Sequence, residues 1–239
     1  MASAACSFLG RIPYREALAL QAEVAADVAC GARADTLLLL EHPPTITLGR
    51  RSSADDLLAE PAALERAGFE IHRIGRGGGA TVHAPGQLVG YPIVRLAGGG
   101  RRVRHFVESL ETMLARVLAG FGLEAELRPG SPGIWARGAK LAAIGIEVKR
   151  GVTRHGFALN VDMDLSAYAA IVPCRTPGLA VGDLRRASGR AVTLEAAVSA
   201  VAGAWQDGFG TPSPTKGREW TSNRSSPVLS AATASRSPS

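Results

Sequence analysis

The chain has 239 residues, 46% of them hydrophobic, with three cysteines and a formal net charge of +6. That is apolar material for one sizeable core, since a domain of this size buries roughly 70–75% of its unfolded surface. No apolar run approaches the ~20 residues of a membrane span, and Met1–Gly10 shows no secretory pattern, so the expectation is a protein with no membrane attachment.

Tyr14–Cys30 reads as an alanine-rich helix with Leu18, Val24 and Val28 on one side and Gly31 as its stop. Thr36–Leu40 reads as a short buried strand, ended by Glu41-His42-Pro43-Pro44. Phe69–Ile74 and Leu88–Leu96 read as strands flanking a glycine-rich turn. Val103, Phe106, Val107, Leu110, Met113, Leu114, Val117 and Leu118 recur at helical spacing, and Gly120 and Gly122 end that amphipathic helix. Leu123–Arg128, Gly133–Ala136, Lys140–Lys149 and His155–Asp162 follow as strands at short separations, which implies antiparallel hairpins. Leu194–Phe209 closes the pattern as a helix with Leu194, Ala197, Val198, Val201 and Trp205 inward.

These elements predict one α+β domain over residues 1–210, with a mixed, mostly antiparallel sheet and flanking helices. Residues 211–239 are rich in Ser, Thr, Pro and Ala without apolar periodicity, and read as a disordered tail with no assigned function. Lys216, Arg218, Arg224 and Arg236 against Glu219 put half of the positive excess in that tail. What remains is too thinly spread for a nucleic-acid binder. Its densest cluster, Arg101-Arg102-Val103-Arg104, reads either as a docking patch or as the polar start of a helix. A monomer is expected, because no unused apolar helix face remains.

Cys6, Cys30 and Cys174 lie far apart with no CxxC pair, which argues against zinc, an iron–sulfur cluster or a disulfide framework and fits a reducing cytoplasm. Cys6 reads as a frayed terminal residue rather than a lipidation site. Gly75–Gly79 fails the phosphate-loop and dinucleotide templates, because no Gly-Lys-Ser/Thr follows and a strand, not a helix, opens behind it. Alone, the glycines are compatible with a structural turn. Thr81, His83 and Gln87 behind them are polar groups able to fix a ligand. Cys174 is either a small core residue or a nucleophile; the second needs an activator, for which His83, His155 and Lys140 are the candidates. Lys140 heads an apolar strand, where it is either an edge lysine reaching water or a buried partner.

Five collinear segments carry a family resemblance: Arg76-Gly-Gly-Gly-Ala-Thr-Val-His-Ala-Pro-Gly-Gln-Leu-Val-Gly-Tyr-Pro92, Gly133-Ile-Trp135, Lys140-Leu-Ala-Ala-Ile-Gly145, Thr153-Arg-His-Gly-Phe-Ala-Leu-Asn160 and Ile171-Val-Pro-Cys174. From about Tyr14 to Leu194 the chain resembles the lipoyl(octanoyl) transferases of lipoate biosynthesis, which share the catalytic fold of the biotin and lipoate-protein ligases. The resemblance implies transfer of an octanoyl group from octanoyl-acyl carrier protein to the target lysine of lipoyl domains, those of 2-oxoacid dehydrogenases and the glycine cleavage H protein, with no cofactor or metal. Cys174 matches the family nucleophile and Lys140 the lysine that activates it and shuttles protons. Arg76, Gly77, Gly78, Gly79, Ala80, Thr81, Val82 and His83 match the family's substrate-binding segments, as do Ala143, Ile144 and Gly145 and Gly156, Phe157 and Ala158. Leu141, Ile144 and Phe157 are the expected acyl-chain neighbours. The chain departs from the family pattern at Arg175-Thr176, where glycine and isoleucine are usual, at Gly182-Asp183, where a Thr-Ser pair is usual, and at Ala84. Two other readings stay open: an ATP-dependent lipoate or biotin ligase, and a non-catalytic binder of acyl groups or lipoyl domains, for which Arg175 is the argument.

Overall fold

Leu37 to Leu40 are four consecutive leucines, and all are buried. Successive side chains of a strand point to opposite faces, so such a run fits only a strand covered on both sides. This is what the computed structural model, which describes residues 4–96 and 100–209, shows. Leu37 and Leu39 enter one core, and Leu38 and Leu40 another. The strand that carries them, β2 (Thr36–Glu41), pairs in parallel with β1 (Ala5–Arg11) and antiparallel with β6 (Gln87–Ile93). The sheet continues through β9 (Val152–Asn160), β8 (Ala139–Lys149) and β7 (Gly133–Ala136), all antiparallel, in the order β1-β2-β6-β9-β8-β7.

Against one face lie α3 (Gly100–Gly120) and α5 (Leu194–Phe209), which bring Phe106, Leu110, Leu114, Leu118, Val201 and Trp205 to the larger core. The opposite face is covered by α1 (Tyr14–Cys30), whose buried stripe is Tyr14, Ala17, Gln21, Val24 and Val28, with Leu18 only half-buried beside it. The polar Gln21 in that stripe has a function: its Oε1 accepts the backbone N–H of His155 at 2.8 Å. The two expected hairpins close with two-residue turns, Arg137-Gly138 and Arg150-Gly151, in which all four residues have positive φ. That geometry matches the right-handed twist of the strands.

A second sheet of three strands sits apart, in the order β4 (Glu70–Arg73), β3 (Thr45–Leu48), β5 (Ala80–His83). It has its own small core of Ile46, Leu48, Leu64, Val82, Met163 and Ile171, closed by α2 (Pro61–Arg66). A short helix α4 (Leu184–Ser188) precedes α5. Two expectations are corrected here, for Cys6 and for Leu123–Arg128, one strand is added, and one alternative is decided. Cys6 is not frayed: it pairs with Leu37 in β1, and burial pushes its thiol up to about 11. Pro43-Pro44 is followed at once by β3, because the proline pair redirects the chain into the second sheet. Leu123–Arg128 makes no strand and contributes a single bridge, Glu126 to Trp135. The 101–104 cluster falls in the first turns of α3, with Arg102 and Arg104 exposed. The tail at 211–239 lies outside the described residues. Among them, no helix is long and apolar enough to cross a membrane.

Candidate active site

Small side chains open a cavity where the two sheets meet. On the inner face of the large sheet, Val89 stands beside Ala158 and Ala158 beside Ala143, and two residues along Gly145 faces Gly156. A Cβ on Gly145 would lie 2.8 Å from the Gly77 carbonyl oxygen, and one on Gly156 would lie 2.1 Å from that of Gly90. The glycines are there because backbone passes at van der Waals range. The space left is a cavity of about 390 Å³.

Its opposite wall is the loop from Arg76 to Gly79. Arg76 is buried and spends its guanidinium on the loop itself. Nη1 donates to the carbonyls of Gly77 and Gly79 at 3.0 and 2.9 Å, and Nη2 donates to the carbonyl and hydroxyl of Thr47, both at 2.8 Å. It borders the cavity but staples the wall to β3, so its hydrogen-bonding capacity is largely consumed by the protein. Gly77 and Val82, also expected at the substrate, do not line the cavity. Gly77 donates its N–H to the Ile146 carbonyl at the edge of β8, and Val82 alternates into the small core beneath β5.

The floor is a cluster of six rings, each from a different element or its end. Tyr14 of α1 lies 4.9–6.0 Å, centroid to centroid, from His42, His72 and His83; Tyr91 of β6 joins His42 and His155. The hydrogen bonds fix the tautomers. His42 Nδ1 must donate to the Ile12 carbonyl at 2.8 Å, so Nε2 accepts from the Tyr91 hydroxyl at 2.7 Å. Gln87 Nε2 donates to Val82 O and Asn160 Oδ1, leaving Gln87 Oε1 to accept from His83 Nδ1 at 2.8 Å. Burial holds all three imidazoles neutral: His42 falls to about 4, His155 to about 3 with the charges of Arg76 and Arg154 adding, and His83 lies well below its usual range. His155 keeps a buried Nδ1 that no group among the described residues satisfies.

At the mouth stands Cys174, in a tight turn from Pro173 to Arg175 with φ 55° and ψ 21°. Arg175 follows at φ 60°, so two successive side-chain-bearing residues hold a left-handed conformation at this point. Lys140 Nζ donates to Cys174 Sγ at 3.5 Å and to the Pro132 carbonyl at 3.1 Å. Lys140 is 5% exposed on a strand flanked on both sides, so it is a buried partner and not an edge lysine reaching water. Of the three candidate activators it is the one that hydrogen-bonds the thiol among the described residues. The glycine wall and the cysteine turn touch: a Cβ on Gly79 would lie 2.8 Å from Arg175 Cγ.

The structure thus gathers Arg76, Gly78, Gly79, Ala80, Thr81, His83, Ala143, Ile144, Gly145, Gly156, Phe157, Ala158, Lys140 and Cys174 around one cavity. Leu141, expected beside an acyl chain, is fully buried in the main core instead. Tyr14, Arg51, Val89, Tyr91 and the Gly130–Pro132 turn, not among the expected site residues, also line the cavity. Val89 and Tyr91 lie within the family segment 76–92, and Tyr14 heads a buried helical stripe. Gly182-Asp183 is chemically mild as a departure. Asp183 caps α4 by accepting the Arg186 N–H at 2.7 Å, which a serine also does, and Gly182 N–H donates to the Lys140 carbonyl at 3.0 Å.

Residues 13–206 match the family described as the lipoyl protein ligase A/B catalytic domain. An octanoyltransferase of Chloroflexus aurantiacus (strain ATCC 29366 / DSM 635 / J-10-fl) is 47% identical over 190 residues, 78% of this chain and 85% of that one. An octanoyltransferase of Geobacter sulfurreducens (strain ATCC 51573 / DSM 12127 / PCA) is 46% identical over 194 residues, 81% of this chain and 80% of that one. Among solved structures, a lipoate-protein ligase A bound with ATP superposes with a TM-score of 0.72 at 16% identity, covering 87% of this chain and 86% of that one. A bipartite lipoate protein ligase from Thermoplasma acidophilum gives 0.70 at 15%, covering 87% and 84%. At such identities the structures speak for the fold, which is the mixed α+β fold of the lipoate-protein ligases. The chain belongs to the lipoyl protein ligase A/B catalytic-domain family and, by its curated relatives, to the octanoyltransferases within it, which makes it an acyltransferase.

Proposed function

We propose that the chain moves an octanoyl group from octanoyl-acyl carrier protein to the target lysine of a lipoyl domain through a thioester on Cys174. The observation that supports this most directly is the Lys140 ammonium 3.5 Å from the Cys174 sulfur at the rim of a cavity walled by glycine and alanine. The Cys174 thiolate attacks the donor's thioester carbonyl. The bond to the carrier's pantetheine sulfur breaks, and that leaving thiolate takes a proton from Lys140. Lys140, now neutral, accepts a proton from the incoming lysine amine as its nitrogen bonds to the carbonyl, and Cys174 leaves as thiolate beside a restored ammonium. Thioester exchange is nearly balanced and amide formation is downhill, so the sequence of steps needs no ATP. Ala143, Gly145, Gly156 and Ala158 present a flat wall along which a saturated chain lies. Arg76 acts by holding the opposite wall and His83 by holding the floor. Both protein partners fit a cytoplasmic enzyme.

The test supplies octanoyl-acyl carrier protein and a lipoyl domain without ATP and follows acylation of the lipoyl domain by mass. Transfer by the wild type and none by Cys174→Ser is the expected result. Acylation only from free octanoate with ATP would make the chain a ligase, and no acylation under either condition would make it a binding module.

A further inference from the structure

Lys140 is 5% exposed, and the lining of the cavity beside it holds no Asp or Glu among the described residues. Its aim is therefore set by other groups. Its backbone is fixed by two hydrogen bonds to the segment after the cysteine, Lys140 N–H to Ala180 O at 2.8 Å and Gly182 N–H to Lys140 O at 3.0 Å. The side chain is held from the other direction, by β7. The β7–β8 pairing runs Ile134 to Ala142 and then Trp135 to Lys140, so one residue of β8, Leu141, has no partner. Such a bulge re-aims the side chains beside it. It leaves Leu141 in the core and sets Lys140 opposite Trp135.

The Lys140 ammonium lies 4.6 Å from the centre of the Trp135 ring. Trp135 is 1% exposed, and its indole N–H is buried with no partner among the described residues. A buried tryptophan normally satisfies that N–H. Here the ring itself makes the polar contacts, with the Arg128 guanidinium carbon also 5.1 Å from its centre. Gly133 completes the holder: with φ 138° it has no side chain where a Cβ would lie 2.3 Å from the Ala142 carbonyl oxygen, 2.6 Å from Lys140 Cε and 3.2 Å from Nζ.

We infer that Gly133 and Trp135 are positioning residues for Lys140: the gap at Gly133 admits its side chain and the indole face holds its ammonium against the Cys174 sulfur. This deepens, and rests on, the reading of Lys140 as the partner of Cys174. It gives the Gly133-Ile134-Trp135 segment a role in the chemistry although neither residue reaches the reacting atoms.

The experiment measures iodoacetamide alkylation of Cys174 against pH, with no substrate present, in the wild type, Lys140→Ala, Trp135→Leu and Trp135→Phe, after circular dichroism confirms folding. Peptide mapping separates Cys174 from Cys6 and Cys30. Lys140→Ala is the reference and moves the alkylation profile to higher pH. Trp135→Leu is expected to move it upward by about half to one pH unit, while Trp135→Phe, which keeps an aromatic face, stays close to the wild type. An unchanged profile in Lys140→Ala would defeat the underlying reading. A profile that moves in Lys140→Ala but not in Trp135→Leu, or moves equally in the Leu and Phe variants, would overturn only the inference about Trp135. If Trp135→Leu does not fold, the wild type decides: the Lys140 ε-methylene protons must show an upfield ring-current shift in NMR, and ordinary positions would overturn the inference.

Discussion

Gly145 and Gly156 face each other across β8 and β9, and neither position has room for a methyl group. The clashes differ in kind. A Cβ on Gly156 meets the Gly90 carbonyl oxygen at 2.1 Å inside the sheet, whereas one on Gly145 meets the Gly77 carbonyl oxygen at 2.8 Å and Arg76 Cδ at 3.2 Å in the opposite wall. Gly156→Ala should therefore cost stability, about 1–3 kcal/mol by chemical denaturation. Gly145→Ala should fold, displace the Arg76–Gly79 wall and slow acyl loading about tenfold to a hundredfold, while Cys174 alkylates as in the wild type. Equal loading rates in Gly145→Ala and the wild type would show that this wall does not bound the acyl site.

Arg175 holds φ 60° directly after a cysteine at φ 55°. The left-handed region costs a side-chain-bearing residue roughly 1–2 kcal/mol, part of which glycine returns through its freer unfolded state. Arg175→Gly is therefore expected to stabilise the protein by about 0.5–1 kcal/mol, raising Tm by a few degrees in calorimetry. A lowered Tm would mean that the contact of Arg175 with Gly79 outweighs the strain.

The neutral imidazoles of the floor make stability depend on pH. Burial holds His42 near 4 and His155 near 3, below the 6.5 of an exposed imidazole. With the folded value depressed, the unfolded chain binds protons more readily. The stability is fully present above pH 6.5 and is lost as pH falls toward 4 at His42 and toward 3 at His155. The loss is about 1.4 kcal/mol per pH unit for each, or about 2 kcal/mol each between pH 7.5 and 5. His155→Asn, which tolerates the left-handed backbone at this position, should lose about 2 kcal/mol less than the wild type over that range. Identical pH slopes in denaturant titrations would contradict the assignment.

Most of the large sheet and its long helices were legible in the sequence, because α3 and α5 bury one face each and their apolar spacing records it. The missing pieces are those whose reason lies far away in the chain. β1 is a strand because β2 pairs with it, and Cys6 looked terminal for want of that partner. β3 hid behind Pro43-Pro44, so the second sheet and the anchor of Arg76 on Thr47 went unseen. The thiol and its lysine were legible through the family segments, as were Arg76 and His83 at the cavity, but not the groups that take up their hydrogen bonds, Thr47 and Gln87, which sit on other strands or past a turn. Periodicity carries no record of a ring cluster assembled from α1, the end of β2, β4, β5, β6 and β9.

The central claim is that the sulfur of Cys174 carries the acyl group. Wild type is incubated with octanoyl-acyl carrier protein alone, without ATP or acceptor, then digested at mildly acidic pH and mapped by mass spectrometry. One octanoyl group is expected, on the Cys174 peptide, labile to hydroxylamine and discharged when a lipoyl domain is added. A lipoyl domain acylated at the wild-type rate by an enzyme that never carries octanoyl on Cys174 would contradict it.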